Sequence, residues 1–126
     1  LSWDDKPYMR LFHSERPSTK NTVLNTVFRR QLSGRAFLND PDVFLLRDRN
    51  TALSPEQKST LATTNALFGG LLFVSDDFSE YSEKQLAEYK TVLALSERAE
   101  NISVSPAASP TVTYTLDGER KTLKLG

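Results

Sequence analysis

Two short stretches of this chain are apolar and each is broken by carboxylates. Phe37-Leu38 runs straight into Asn39-Asp40-Pro41-Asp42, and apolar residues then resume at Val43-Phe44-Leu45-Leu46. Further on, Leu71-Leu72-Phe73-Val74 runs into Ser75-Asp76-Asp77. Continuous apolar runs of this length suit strands covered on both faces, as in parallel sheets packed between helices. A strand that opens into a rigid acidic loop is how an α/β scaffold presents polar groups to a ligand. The two runs therefore constrain the fold and the candidate site together.

What lies between and around them reads as helix. From Ser18 onward, Val23 and Val27 recur at a helical step beside Leu24, Phe28 and Leu32, and Gly34 sits where a helix stops. Ser54-Pro55-Glu56-Gln57 offers a capping serine, a proline suited to the first helical position and a glutamine to close a capping box. Leu61, Ala62, Asn65, Ala66 and Phe68 form its inward face, and Gly69-Gly70 ends it. Ser82 with Gln85 starts another capped helix, with a stripe through Leu86, Tyr89, the Lys90 stem, Leu93 and Leu95. The order is helix, strand, acidic loop, helix, strand, acidic loop, helix, which is a pair of βα units. Residues before Pro17 show no clean period and read as loop, with Trp3, Tyr8, Phe12 and His13 as packing groups.

The pattern changes after Arg98. A strand is expected over 101–104 and a small-residue linker over 106–110. Thr111-Val112-Thr113-Tyr114-Thr115-Leu116 alternates with period two, Asp117-Gly118 is a hairpin signal, and the alternation resumes over 119–125. The domain boundary is accordingly drawn between 1–98 and 99–126.

Composition narrows the function classes. Sixteen basic residues balance sixteen acidic ones, so there is no electrostatic case for nucleic acid or for an anionic membrane surface. The absence of cysteine removes disulfides, thiolate metal sites and cysteine nucleophiles, and a single histidine removes a histidine zinc triad. No apolar run approaches the roughly 18 residues of a membrane span, and no signal-peptide pattern opens the chain. The expectation is a cytoplasmic protein without cofactor or metal. Asp48-Arg49-Asn50 has the opening of a calcium loop but lacks its glycine and closing glutamate. Asn101-Ile102-Ser103 is a glycosylation sequon that means little without a secretory signal.

The Asn39-Asp40-Pro41-Asp42 loop, the tryptophan at position 3, Ser54-Pro55-Glu56 and the Gly69-Gly70 to Asp77 segment together carry a resemblance. The chain resembles the last part of the catalytic barrel of melibiase-type α-galactosidases, glycoside hydrolase family 36 and its relative family 27. That resemblance covers about three-quarters of the chain, and the Asn-Asp-Pro-Asp loop is its specific part. It implies an α/β fold: the last two βα units of a TIM (β/α)8 barrel over 1–98, followed over 99–126 by the first strands of an antiparallel β-sandwich domain. It also implies retaining hydrolysis of terminal α-galactosides by two aspartates about 5–5.5 Å apart. Neither of those aspartates has a counterpart in this chain, so the resemblance assigns it no catalytic residue and predicts an inactive isolated polypeptide. A complete barrel needs about 250 residues, so the chain is expected to be a piece of a larger enzyme, partnered by the remainder of that enzyme or by further copies.

By the same resemblance, Trp3, Asn39, Asp40 and Asp42 are the substrate-binding residues, with Asp76 or Asp77 at the rim. The physical reading runs alongside: clustered carboxylates accept hydrogen bonds from sugar hydroxyls and can raise one another's pKa. The structural rival is that the acids of the first loop satisfy backbone amides, and that Asp77 faces a positive helix end. Trp3 serves equally as a stacking platform or a packing anchor. A different functional class also fits, a non-catalytic α/β module that binds a sugar or a protein.

Overall fold

The computed structural model describes residues 2–4, 18–35, 43–70 and 72–125. Asn39, Asp40 and Asp42, three of the four expected binding residues, lie outside the described residues, as does His13.

Ser18 opens helix α1 (Thr19–Phe28), its hydroxyl accepting from the Asn21 amide. The carbonyls of Ser2 and Trp3 take the amides of Thr19 and Lys20, so the chain start helps to cap this helix. Thr19, Val23, Thr26 and Val27 are buried, whereas Phe28 and Leu32 of the second expected row are exposed. The helix ends earlier than its periodicity predicts and passes through a 3₁₀ turn (Arg30–Leu32) to Gly34, whose φ of 77° suits glycine. Ser54 and Gln57 close a complete capping box on α2 (Pro55–Phe68), with Pro55 in its first turn. Every apolar position expected on its inward face is buried, along with Lys58, Thr63, Thr64 and Asn65. This is the central helix. Ser82 and Gln85 form a second complete capping box on α3 (Glu83–Arg98), a surface helix that buries only Val92 and Leu95. Leu86, expected in the stripe, is exposed, because the buried face turns toward Val92 instead.

Beyond α3 lies a three-stranded antiparallel sheet, β1 (Glu100–Val104), β2 (Thr111–Leu116) and β3 (Glu119–Lys124), in the order β1-β2-β3. β2 is central and alternates, turning Val112, Tyr114 and Leu116 inward. The Asp117-Gly118 hairpin forms with both residues at positive φ, 51° and 83°, the geometry of a type I′ turn. The β1–β2 register shifts between Glu100 and Ser103, where Asn101 has a φ of 52°. One buried cluster joins Val23, Leu61 and Val92 of the helices to Val112, Tyr114 and Leu116 of the sheet.

The expected fold class is corrected here. Two βα units of a TIM barrel require paired parallel strands, and the sheet of the described residues is antiparallel. The two apolar runs do run side by side in parallel, but they meet at one isolated bridge, Phe44 with Val74. The Phe44 amide donates to the Phe73 carbonyl at 3.0 Å and the Ser75 amide to the Phe44 carbonyl at 3.1 Å. Among the described residues beyond this bridge the pairing goes no further, for a physical reason. Phe73 is 48% exposed, so the second run is not covered on both faces as a parallel strand requires. The first run buries Phe44, Leu45 and Leu46 in succession as an extended segment, and side chains rather than a neighbouring strand satisfy its next backbone groups. A second sheet, as a sandwich would have, is also absent among the described residues.

Candidate functional site

Just past the Phe44–Val74 bridge, the two segments leave in the same direction, and their polar residues converge. Asp76 is the hub. One carboxylate oxygen accepts from the Leu46 amide at 2.6 Å and from the Tyr81 hydroxyl, and the other pairs with the Arg47 guanidinium at 2.9 Å. Its side chain is 1% exposed, against 23% for Arg47. Arg47 also donates to the carbonyls of Ser75 and Arg49. With three donors on it, this carboxylate ties the two segments together. Burial, and then the Asp76 carboxylate beside it, push the Tyr81 hydroxyl well above the usual phenol range.

A second set of side chains holds the same segment from the helices. Lys58, buried on α2, reaches the Leu46 carbonyl at 3.4 Å, the Arg47 carbonyl at 3.0 Å and the Asp48 carboxylate at 2.7 Å. Gln85 uses its oxygen for the capping box of α3 and its amide nitrogen for the Leu46 carbonyl at 2.9 Å, with Asp48 at 3.5 Å. The hydrogen bond and charge of Lys58 hold the Asp48 carboxyl below the usual carboxylate range. Further out, Arg49 grips Glu80 through three contacts of 2.6 to 2.9 Å, and that pairing raises its own pKa. Asp77 caps the 3₁₀ turn (Phe78–Glu80), its oxygen accepting from the amide and hydroxyl of Ser79, which hold its carboxyl low.

These residues wall a cleft of about 340 Å3, lined by Arg47, Asp48, Arg49, Glu80, Tyr81 and Gln85. Beneath it Tyr81 packs with Phe78 and Tyr89, and Tyr89 in turn with Phe44. The cleft offers hydrogen bonds of both senses but no nucleophile–base pair. Among the described residues no three histidine, cysteine or acidic side chains converge as metal ligands. No described helix is long and apolar enough to cross a membrane.

Of the residues expected from sequence, Trp3 lies elsewhere. Half-buried, it lines a separate hollow of about 220 Å3 with Ser54, Glu56, Gln57, Thr60 and Lys124. Asp76 is an internal tie rather than a rim group, and Asp77 is the cap of a turn. Sequence reasoning passed over Arg47, Lys58 and Tyr81, and took Gln85 only as a capping residue. The one local signal was the density of charge in Arg47-Asp48-Arg49 directly after a wholly apolar run. No model of a known protein family matches this chain.

Proposed function

We propose that this chain is part of a retaining α-galactosidase-like glycoside hydrolase acting on terminal α-galactosides, and that it supplies substrate-facing residues while the reacting aspartates lie outside it. The observation that carries this reading is the pairing of two apolar runs, each joined to an acidic segment, one of them Asn39-Asp40-Pro41-Asp42. In it, Asn39, Asp40 and Asp42 accept hydrogen bonds from sugar hydroxyls. Asp76 and its partners keep the neighbouring segment in register.

An aryl α-galactoside assay tests both halves of the reading. The 126-residue chain is expected to give no turnover, and a longer protein containing it is expected to hydrolyse the substrate with retention. In that longer protein Asp42→Asn should lower kcat/KM by about 10²-fold if the carboxylate is worth about 2.7 kcal/mol in the transition state. Turnover by the chain alone, or a longer protein inert toward every α-galactoside, overturns the proposal. The charge-balanced cleft favours a second reading, a non-catalytic sugar-binding module, and sugar binding by an inert longer protein would select it.

A further inference from the structure

The cleft between residues 47–49 and 80–85 has a hydrogen-bonding inventory that says what it can hold. Its four charged lining groups are Arg47, Arg49, Asp48 and Glu80, two of each sign. Among the described residues, the Nη2 of Arg47 and the Nη1 of Arg49 have no protein partner, because every contact of these guanidinia runs through their other nitrogens. The acceptors are equally present. Asp48 is largely exposed with one firm partner, the Glu80 oxygens have lone pairs beyond those used by Arg49, and the Tyr81 oxygen donates its only proton to Asp76 and so faces a ligand as an acceptor.

A net charge of zero at the wall gives no attraction to phosphate or to a carboxylate ligand. Paired donors and acceptors in planar groups match adjacent hydroxyls, each of which donates one hydrogen bond and accepts others. The volume of about 340 Å3 lies at the small end of ligand sites, about 300–1,000 Å3, with room for one ring. From these observations we infer that the cleft is a binding subsite for a neutral sugar ring, held by Arg47, Arg49, Asp48 and Glu80. The inference does not depend on the chain belonging to a hydrolase.

Heteronuclear NMR titration of the chain with D-galactose, D-glucose and inorganic phosphate tests it. Either sugar should give saturable shifts at the amides of residues 47–50 and 78–84, with a Kd of order 1–10 mM, as expected for a few exposed hydrogen bonds. Phosphate should give none. Arg49→Ala and Glu80→Gln should each weaken sugar binding by about tenfold, the equivalent of about 1.4 kcal/mol. Both residues sit on the surface, and an unchanged thermal melt of each variant keeps the comparison clean. No saturable sugar shift up to about 100 mM, where even a Kd near 10 mM is saturated, overturns the inference. So do shifts confined to other residues, phosphate saturating the same amides, and full binding by both variants. Failure of the glycosidase reading is seen in turnover and leaves this titration unaffected.

Discussion

Replacing Asp76 with alanine removes one side chain and takes the shared acceptor from three donors. The Leu46 amide loses its acceptor, a cost of about 1–3 kcal/mol for a buried unsatisfied donor. Arg47 loses its counter-charge. Breaking a fully buried pair costs about 3–5 kcal/mol, but Arg47 is 23% exposed, so water recovers part of that. Tyr81 contributes about 1 kcal/mol more for its lost hydrogen bond. Because these groups share one partner the losses do not add, and the expected total is about 3–5 kcal/mol. Urea denaturation followed by far-UV circular dichroism measures it. With a slope of about 2 kcal/mol per molar, the midpoint should fall by about 2 M. Asp76→Asn keeps the shape and one acceptor oxygen, so it should cost about half as much. Domains of this kind have about 5–15 kcal/mol in total, so the asparagine variant provides the graded measurement if the alanine variant is unfolded. A midpoint shift below about 0.3 M for Asp76→Ala would refute the hub.

The remaining predictions are more local. Gln85→Ala should destabilise by about 1 kcal/mol more than Gln57→Ala, since both break a capping box but only Gln85 also serves the Leu46 carbonyl; equal costs would deny that second role. In a spectrophotometric titration of the tyrosines, Tyr81→Phe should remove a phenol that ionises late. A raised folded pKa means stability is fully present below the unfolded value of 10.0 and is lost as pH rises through the folded one, so the same variant should also flatten the alkaline loss of stability. Asp48 has the opposite sign. Its folded pKa is depressed, so its contribution is present above the unfolded value of 3.8 and is lost as pH falls below it, and Asp48→Asn should flatten the acid limb of the stability curve. Gly118→Ala should cost about 1 kcal/mol from backbone strain alone, because its φ is 83° and nothing crowds an added Cβ; a neutral result in thermal melts would rule out the type I′ turn.

How much of this was legible in the sequence depends on the range over which each signal acts. Ser54 with Gln57, Ser82 with Gln85, and Asp117-Gly118 are local codes, completed within four residues, and all three structures form. The period-two alternation of 111–116 is equally local, and β2 follows it. The apolar runs 43–46 and 71–74 carry no such code. A run of apolar residues states that a segment is buried, not what satisfies its backbone. The answer here came from Asp76, Lys58 and Gln85, whose contacts to Leu46 span 30, 12 and 39 residues. That is why a parallel strand is the natural reading and a single bridge is the outcome among the described residues. The same reasoning explains the site. Asp76 reads as a loop acid until its three donors are seen, and nothing local in the sequence says that Trp3 lines a hollow at the start of α2.

The shifted register at Asn101 has a consequence for how molecules meet. With its backbone turned to positive φ there, β1 breaks the even spacing of amides that an incoming chain would need as a template. On the far side, β3 shows exposed Lys121 and Lys124, which repel a copy of themselves. Crowded together, these proteins should therefore resist zipping into continuous ribbons, and any assembly they form must use surfaces other than the flanks of this sheet.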